Sequence, residues 1–202
     1  MTDLFSHVLR SLKDNPHGWT SPEMGCSLAA GILMTRPMYS VEIGVFGGKG
    51  LVSMALAHKE IGNGKAIGID PWKAQDSVES QAHPNDVKWW GELDHEAIYQ
   101  SCLSQIRKNA VEPFTHIMRM KSSEVPVPRD IGVLRIDGNH GEPAYVDTLR
   151  FSQGVIPGGY LFLDDVDWTG GAVRRAADWL RANGWKQLYP LDDAIVFQKI
   201  GK

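Results

Sequence analysis

The sequence predicts a three-layer α/β domain built on a sheet of about seven strands, mostly parallel, with a C-terminal antiparallel hairpin. Three observations carry that expectation. Short runs rich in β-branched and aromatic residues recur along the chain, and stretches with apolar residues at helical spacing lie between most of them. Only the last two runs are joined by a link too short to hold a helix.

The expected strands are YSVEIGVF (39–46), KAIGID (65–70), FTHIMRM (114–120), GVLRID (132–137), GYLFLDD (159–165), WKQLYPL (185–191) and AIVFQKI (194–200). Helical spacing marks 48–62, 95–110, 142–156 and 172–184 between them. Gly62 and Gly184 are natural helix stops, and Pro157-Gly158-Gly159 is expected to end the third helix. Strands separated by helices of this length are normally parallel and covered on both faces. Residues 1–38 are expected to form one or two helices, with Ser21-Pro22-Glu23 starting the second. The segment 71–92 has no clear period and is long for a connection, as lids often are.

Composition narrows the class. At 202 residues the chain suits one domain, 1–202, with 43% hydrophobic and 22% charged residues. No apolar run approaches the ~20 residues of a membrane span, so no membrane partner is expected and the protein reads as soluble. The first residues lack the pattern of a secretion signal, which makes a cytoplasmic location the expectation. A net charge of −3 without a Lys/Arg-rich run argues against nucleic acid and for a small-molecule partner. Cys26 and Cys102 form no metal-spaced cluster and are expected to be free thiols.

The stretch VEIGVFGGKG (41–50) places four glycines behind a strand. Glycines at a strand-to-helix turn let backbone approach a ligand, and the helix start offers free N–H groups. The order Gly44, Gly47, Gly48, Gly50, with Phe46 where a second glycine should stand, does not fit the dinucleotide fingerprint. A tight turn with no ligand is the plainer alternative. Asp70 ends the second strand, where a carboxylate can accept hydrogen bonds from both ribose hydroxyls, or can simply be solvated.

Two more strands end in acid, the first on Asp137 in RIDGNHGE and the next on Asp164 and Asp165 in LDDVDW. Adjacent strands in such a sheet bring their ends to about 5 Å of each other on the ligand edge. Converging like charges call for protonation or a bridging cation, and hard oxygen ligands suit Mg²⁺, Mn²⁺ or Ca²⁺. The bland alternative is a set of solvated or helix-capping aspartates.

VEIGVFGGKG, GIDPW, IDGNH and GVIPGGYLFLDD, in this order, resemble class I S-adenosylmethionine (SAM)-dependent methyltransferases, specifically the methyltransferase-24-type group. That group includes metal-dependent macrolide and aminocoumarin sugar O-methyltransferases, with cephalosporin-hydroxylase-like relatives nearby. The resemblance covers about residues 39 to 168 and implies a Rossmann-like fold, SAM as cofactor and Mg²⁺ or another divalent cation. It implies metal ligation by Asp137, Asp164 and Asp165. The catalytic base is implied to be His140, three positions after Asp137, since Asn139 replaces the aspartate that some members use. Glu42, Gly44, Phe46, Gly47, Gly48, Asp70, Trp72, Ser123 and Asp137 are the expected cofactor-facing residues. Lys121-Ser122 departs from the Gly-Asp that relatives often carry before Ser123.

The chemistry agrees with that assignment. Methyl transfer from a sulfonium to a hydroxyl needs in-line positioning and removal of one proton. A neutral imidazole can take that proton near pH 7, and metal coordination would make the hydroxyl more acidic. Trp72, Trp89, Trp90 and Trp168 fall near the expected ligand edge, whereas Trp179 and Trp185 read as core. His83, within the 71–92 segment, and His95, just after it, could line the site but read rather as surface residues, and His7, His17, His58 and His116 read as structural. The expectation is therefore an O-methyltransferase acting on a small hydroxylated metabolite, with room for a homo-oligomer. The alternatives are a hydroxylase-like or metal-assisted hydrolytic enzyme on the same fold, and a non-catalytic SAM-binding subunit.

Overall fold

The computed structural model describes residues 2–79 and 83–201. Two N-terminal helices, α1 (Thr2–Asp14) and α2 (Pro22–Thr35), precede the first strand β1 (Tyr39–Ile43). Helix α2 starts as its sequence dictates. The Ser21 hydroxyl accepts the Met24 N–H at 3.0 Å, and Pro22 occupies the first turn, where no N–H partner is required.

The chain continues through α3 (Lys49–Ile61), β2 (Lys65–Ile69), α4 (Ala74–Ser77), α5 (Pro84–Glu92), α6 (His95–Lys108) and β3 (Thr115–Met118). It then forms β4 (Ile131–Ile136), α7 (Glu142–Phe151), β5 (Val155–Leu163), α8 (Ala172–Ala182), β6 (Trp185–Leu191) and β7 (Ala194–Lys199). All seven strands lie in one sheet ordered β3-β2-β1-β4-β5-β7-β6. The first five are parallel, and β7 runs antiparallel to both β5 and β6.

The expected layering is present, and the side-chain period of two divides it into two cores. Val41, Ile43, Leu134, Ile136, Leu161 and Leu163 join α7 and α8 on one face. Val133, Tyr160 and Phe162 join α1, α2, α3 and α6 on the other. All six residues of β4 are buried, as a central parallel strand covered on both sides requires.

Two sequence expectations need correction. Helix α7 ends at Phe151, and β5 begins at Val155, so Pro157-Gly158-Gly159 lies inside a strand and does not terminate the helix. Proline is tolerated there because the register between β4 and β5 shifts at this point. The segment 71–92, which showed no clear period, carries α4 and α5; its residues 80–82 lie outside those described. His83 and Pro84 supply the α5 start, with the His83 ring accepting the Asn85 N–H at 3.2 Å. Finally, β1 stops at Ile43, and residues 44–48 form the turn into α3.

Cys26 and Cys102 are free, as expected. Burial pushes the Cys102 thiol upward, so it stays protonated. Among the described residues, no helix is long and apolar enough to cross a membrane.

Candidate active site

The carboxyl ends of β1, β2, β4 and β5 open into one cavity of about 910 Å³. That is the edge where open parallel sheets bind ligands, because the strand-to-helix turns converge there. Gly44, Val45 and Phe46 of the turn 44–48 form part of its wall, whereas Gly47 and Gly48, expected to face the cofactor, do not line it. Gly44 has φ +85°, and a Cβ at that position would lie 2.0 Å from the Asp137 carbonyl oxygen, so only glycine fits between the ends of β1 and β4. Gly47 and Gly48 are required by neighbours of another kind: a Cβ on Gly47 would meet His17 at 2.4 Å, and one on Gly48 would meet Cys102 Sγ at 2.7 Å.

Asp70 closes β2 beneath this turn. Its Oδ2 accepts the Val45 and Phe46 N–H groups, each at 3.0 Å, and its Oδ1 accepts the Trp72 N–H at 2.7 Å. Burial pushes the Asp70 carboxyl up, against those three backbone donors. Asp70 thus organises the glycine turn while lining the cavity. Trp72 lines the cavity too, but it is only 2% exposed; its indole N–H donates to the Phe46 carbonyl at 2.9 Å and its ring lies against Tyr99. Ser123 lies on the cavity wall beyond β3.

Glu42 sits elsewhere than sequence reasoning put it. It is 1% exposed, does not line the cavity, and faces Arg135 directly across the β1–β4 register. Its Oε1 accepts from Arg135 Nη1 at 2.8 Å, and Gly50 of α3 leaves just enough room for that carboxylate. Burial pushes the Glu42 carboxyl up to about 7, partly opposed by the guanidinium.

Arg135 was absent from the expected site and organises much of it. Its Nη2 pairs with Asp164 Oδ2 at 2.6 Å and Asp137 Oδ2 at 2.7 Å, while Nη1 also donates to Thr20 Oγ1 at 2.9 Å. The converging carboxylates therefore find a cation within the chain. The only sequence signal was a charged residue inside an apolar strand pattern, which period alone cannot separate from a solvent-facing position.

His140 follows Asp137 in the β4–α7 turn and lies between two carboxylates. Nδ1 is 2.8 Å from Glu79 Oε1, and Nε2 is 2.8 Å from Asp165 Oδ2. Burial disfavours the imidazolium, but the hydrogen bonds to Asp165 and Glu79 outweigh it and raise His140 to about 10. The Trp168 ring lies over the imidazole, with centroids 4.5 Å apart. Ligand atoms of Asp137, His140 and Asp165 all fall within 4.8 Å of one another, close enough to share one ion. This group differs from the expected metal set. Asp137 and Asp165 belong to it and His140 joins it; Asp164 lies outside it and, like Asp137, pairs with Arg135.

The remaining aromatic residues form the mouth. Trp19 stacks on Phe46 with centroids 5.4 Å apart, and Trp89 and Trp90 pack around the pair. His95 lines the cavity with its ring on the Trp90 carbonyl, whereas His58 is buried between Ser40 and Asn63.

A mixed sheet of strand order β3-β2-β1-β4-β5-β7-β6, parallel through β5 and antiparallel at β7, with a glycine turn over its central edge, defines a class I methyltransferase-like protein. Sequence comparison makes the class specific, because residues 41–166 match the type 24 methyltransferase-domain family. The match covers more than half of the chain, and the protein belongs to this family of SAM-dependent methyltransferases. Among curated proteins no sequence matches.

Solved structures share the fold. The O-methyltransferase NovP aligns with a TM-score of 0.71 at 14% identity over 99% of this chain and 98% of its own. The O-methyltransferase TomG from Streptomyces achromogenes, in complex with SAM, aligns with a TM-score of 0.62 at 16% identity, over 99% and 90%. An O-methyltransferase from Bacillus cereus in complex with SAH gives 0.60 at 14% identity, over 98% and 91%.

Proposed function

We propose that this methyltransferase transfers the methyl group of SAM to a hydroxyl of a small metabolite. The observation that carries the reading is the placement of His140, Asp137 and Asp165 in the same cavity as the Gly44 turn and Asp70. Similarity to O-methyltransferase structures, some with SAM or SAH bound, supports it at the level of the fold.

The cofactor would lie along the 44–48 turn toward Asp70 and Ser123. Asp70 holds that turn through backbone N–H groups, so it acts on the cofactor largely by shaping the cradle. Residues after β4 and β5 face the acceptor. The reaction asks them to fix the hydroxyl in line with the sulfonium and to accept its proton. His140 Nε2 is the candidate acceptor of that proton once the imidazolium, which Asp165 and Glu79 stabilise, has given up its own Nε2 proton.

A divalent cation fits Asp137 and Asp165, with His140 in reach, because two carboxylates and an imidazole suit several divalent metals. When bound, it would lower the pKa of the acceptor hydroxyl. Arg135 pairs with both Asp137 and Asp164, so a cation here would share those carboxylates with the guanidinium.

The test combines deuterated SAM, a panel of hydroxylated acceptors and mass spectrometry, with and without chelator. Transfer of the labelled methyl to oxygen is expected. A product gaining oxygen, or SAH binding without transfer to any acceptor class, would refute methyl transfer. Undiminished activity after chelation would refute the metal alone.

A further inference from the structure

A second cavity, of about 300 Å³, adjoins the reaction cavity, and the two share Gly18, Trp19 and Phe46 as wall. Trp89 of α5 and Ala97 and Ile98 of α6 line its other sides. Its rings are left open to solvent. Trp19 is 70% exposed and Trp89 43% exposed, although water disfavours large apolar surface, and adjoining exposed rings of this kind mark binding sites. The Trp19 indole stacks on Phe46 with 20° between the planes, and Trp89 lies 5.5 Å from Trp19.

The shared wall is held in place from the glycine turn. Asn15, only 4% exposed, donates from Nδ2 to the Gly47 carbonyl at 2.8 Å and accepts the His17 N–H on Oδ1 at 3.0 Å, which anchors the loop carrying Trp19. Phe46 has φ +47°, a left-handed conformation that is costly for any residue with a side chain. It is kept there from both sides: Asp70 accepts its N–H at 3.0 Å, and the Trp72 indole donates to its carbonyl at 2.9 Å. Strained backbone fixed this firmly is a recurrent feature of ligand clamps.

We propose that the second cavity receives a neutral, planar aromatic portion of the acceptor, whose hydroxyl end lies in the reaction cavity. The inference rests on the methyl-transfer reading above and names the substrate class for it. The volume is at the lower end for small-molecule sites, about 300–1,000 Å³, which suits one part of a molecule. Aromatic faces are electron-rich and favour offset or edge contacts with another ring. Among the described residues no lysine or arginine lines this cavity, and its one carboxylate, Asp94, already accepts the Ala97 N–H at 2.9 Å. An anionic ring would meet π faces and a carboxylate with no cation to offset them. A saturated ring would fill the space but forgo the stacking.

Calorimetry on the SAH-saturated full chain tests this with three probes: 2-naphthol, its saturated counterpart 2-decalol, and 6-hydroxynaphthalene-2-sulfonate. 2-Naphthol should bind, 2-decalol about threefold or more weakly, the scale of an aromatic pair beyond its buried area, and the sulfonate more weakly still. Ala97→Phe adds a ring to the cavity wall from an exposed position on α6 and keeps the backbone N–H that Asp94 accepts. It should weaken 2-naphthol by about tenfold or more through overpacking, while SAH affinity stays within about twofold and reports an intact fold. Trp19→Ala should weaken 2-naphthol as well. Absence of 2-naphthol binding, equal binding by the parent and Ala97→Phe, or equal affinity for 2-decalol or the sulfonate would each overturn the proposal. So would sedimentation showing self-association that Trp19→Ala abolishes and 2-naphthol leaves intact, because a second copy would then cover these rings.

None of these measurements needs turnover, so the two readings fail separately. Methyl transfer to an acceptor panel combined with 2-naphthol binding that ignores Ala97→Phe overturns this inference alone. Binding as described with no acceptor methylated leaves an aromatic-ligand site in place and overturns the functional reading.

Discussion

Replacing Arg135 with Met tests the electrostatic organisation of the site most directly. The guanidinium is 5% exposed and pairs with Glu42, Asp137 and Asp164 at 2.8, 2.7 and 2.6 Å. Arg135→Met keeps much of the aliphatic stem and removes the only buried cation that these carboxylates share among the described residues. Breaking a buried pair by removing one partner costs about 3–5 kcal/mol, because the remaining charge is left uncompensated. Here three carboxylates lose compensation, and Glu42 already lies at about 7 with Arg135 in place. The cost should therefore reach the upper part of that range at pH 7.5 and lower Tm by roughly 10–20 °C for a domain of this size. Urea unfolding followed by circular dichroism measures it. Adding Glu42→Gln should recover about 1 kcal/mol or more, because the two residues face each other across the register and the added change neutralises one orphaned charge. A loss below about 1 kcal/mol, or strict additivity of the two changes, would refute the role assigned to Arg135.

Four further outcomes are expected. Between about pH 4.5 and 7 the native protein binds a proton at Glu42 that the unfolded chain has released, so this group makes stability fall as pH rises; Glu42→Gln should flatten that slope in pH-dependent urea titrations. His140, raised to about 10, acts in the same direction in a higher window: its contribution is complete below about 6.5 and is lost as pH rises through 10, and His140→Gln should remove that decline. Gly44→Ala must accommodate φ +85° and a Cβ placed 2.0 Å from the Asp137 carbonyl oxygen, so soluble yield and Tm should drop sharply, by more than the ~1 kcal/mol of an ordinary Gly change. Trp19→Ala should leave stability within about 0.5 kcal/mol, since Trp19 is 70% exposed, but should raise the acceptor KM several-fold because the ring forms part of the cavity mouth; unchanged KM across acceptors would exclude it from recognition.

The parts of the site that could be read beforehand are those encoded by local pattern. Asp137 and the Asp164-Asp165 pair follow strands whose alternation with helices made a parallel sheet the economical arrangement, and parallel β4–β5 pairing sets both strand ends on one edge. His140 was singled out by the family resemblance, which implies a base three residues beyond Asp137. Glu42 was also correctly placed within β1, but its direction was not. Which face it points to depends on register, and its partner Arg135 lies 93 residues away. Glu79 had no local signal, since its role comes from a contact with a residue 61 positions away.

By itself, the sequence determined the layer architecture, the glycine turn and the carboxylates at the strand ends, because helix and strand periods and turn chemistry act over a few residues. Only the tertiary structure decided which charges compensate one another. It placed Arg135 among Glu42, Asp137 and Asp164, grouped His140 with Asp165 and Glu79, and brought Asp137, His140 and Asp165 close enough to share an ion. The physical reason is that Coulomb and hydrogen-bond energies depend on separation in space and on burial, and both are properties of the assembled sheet rather than of any one segment.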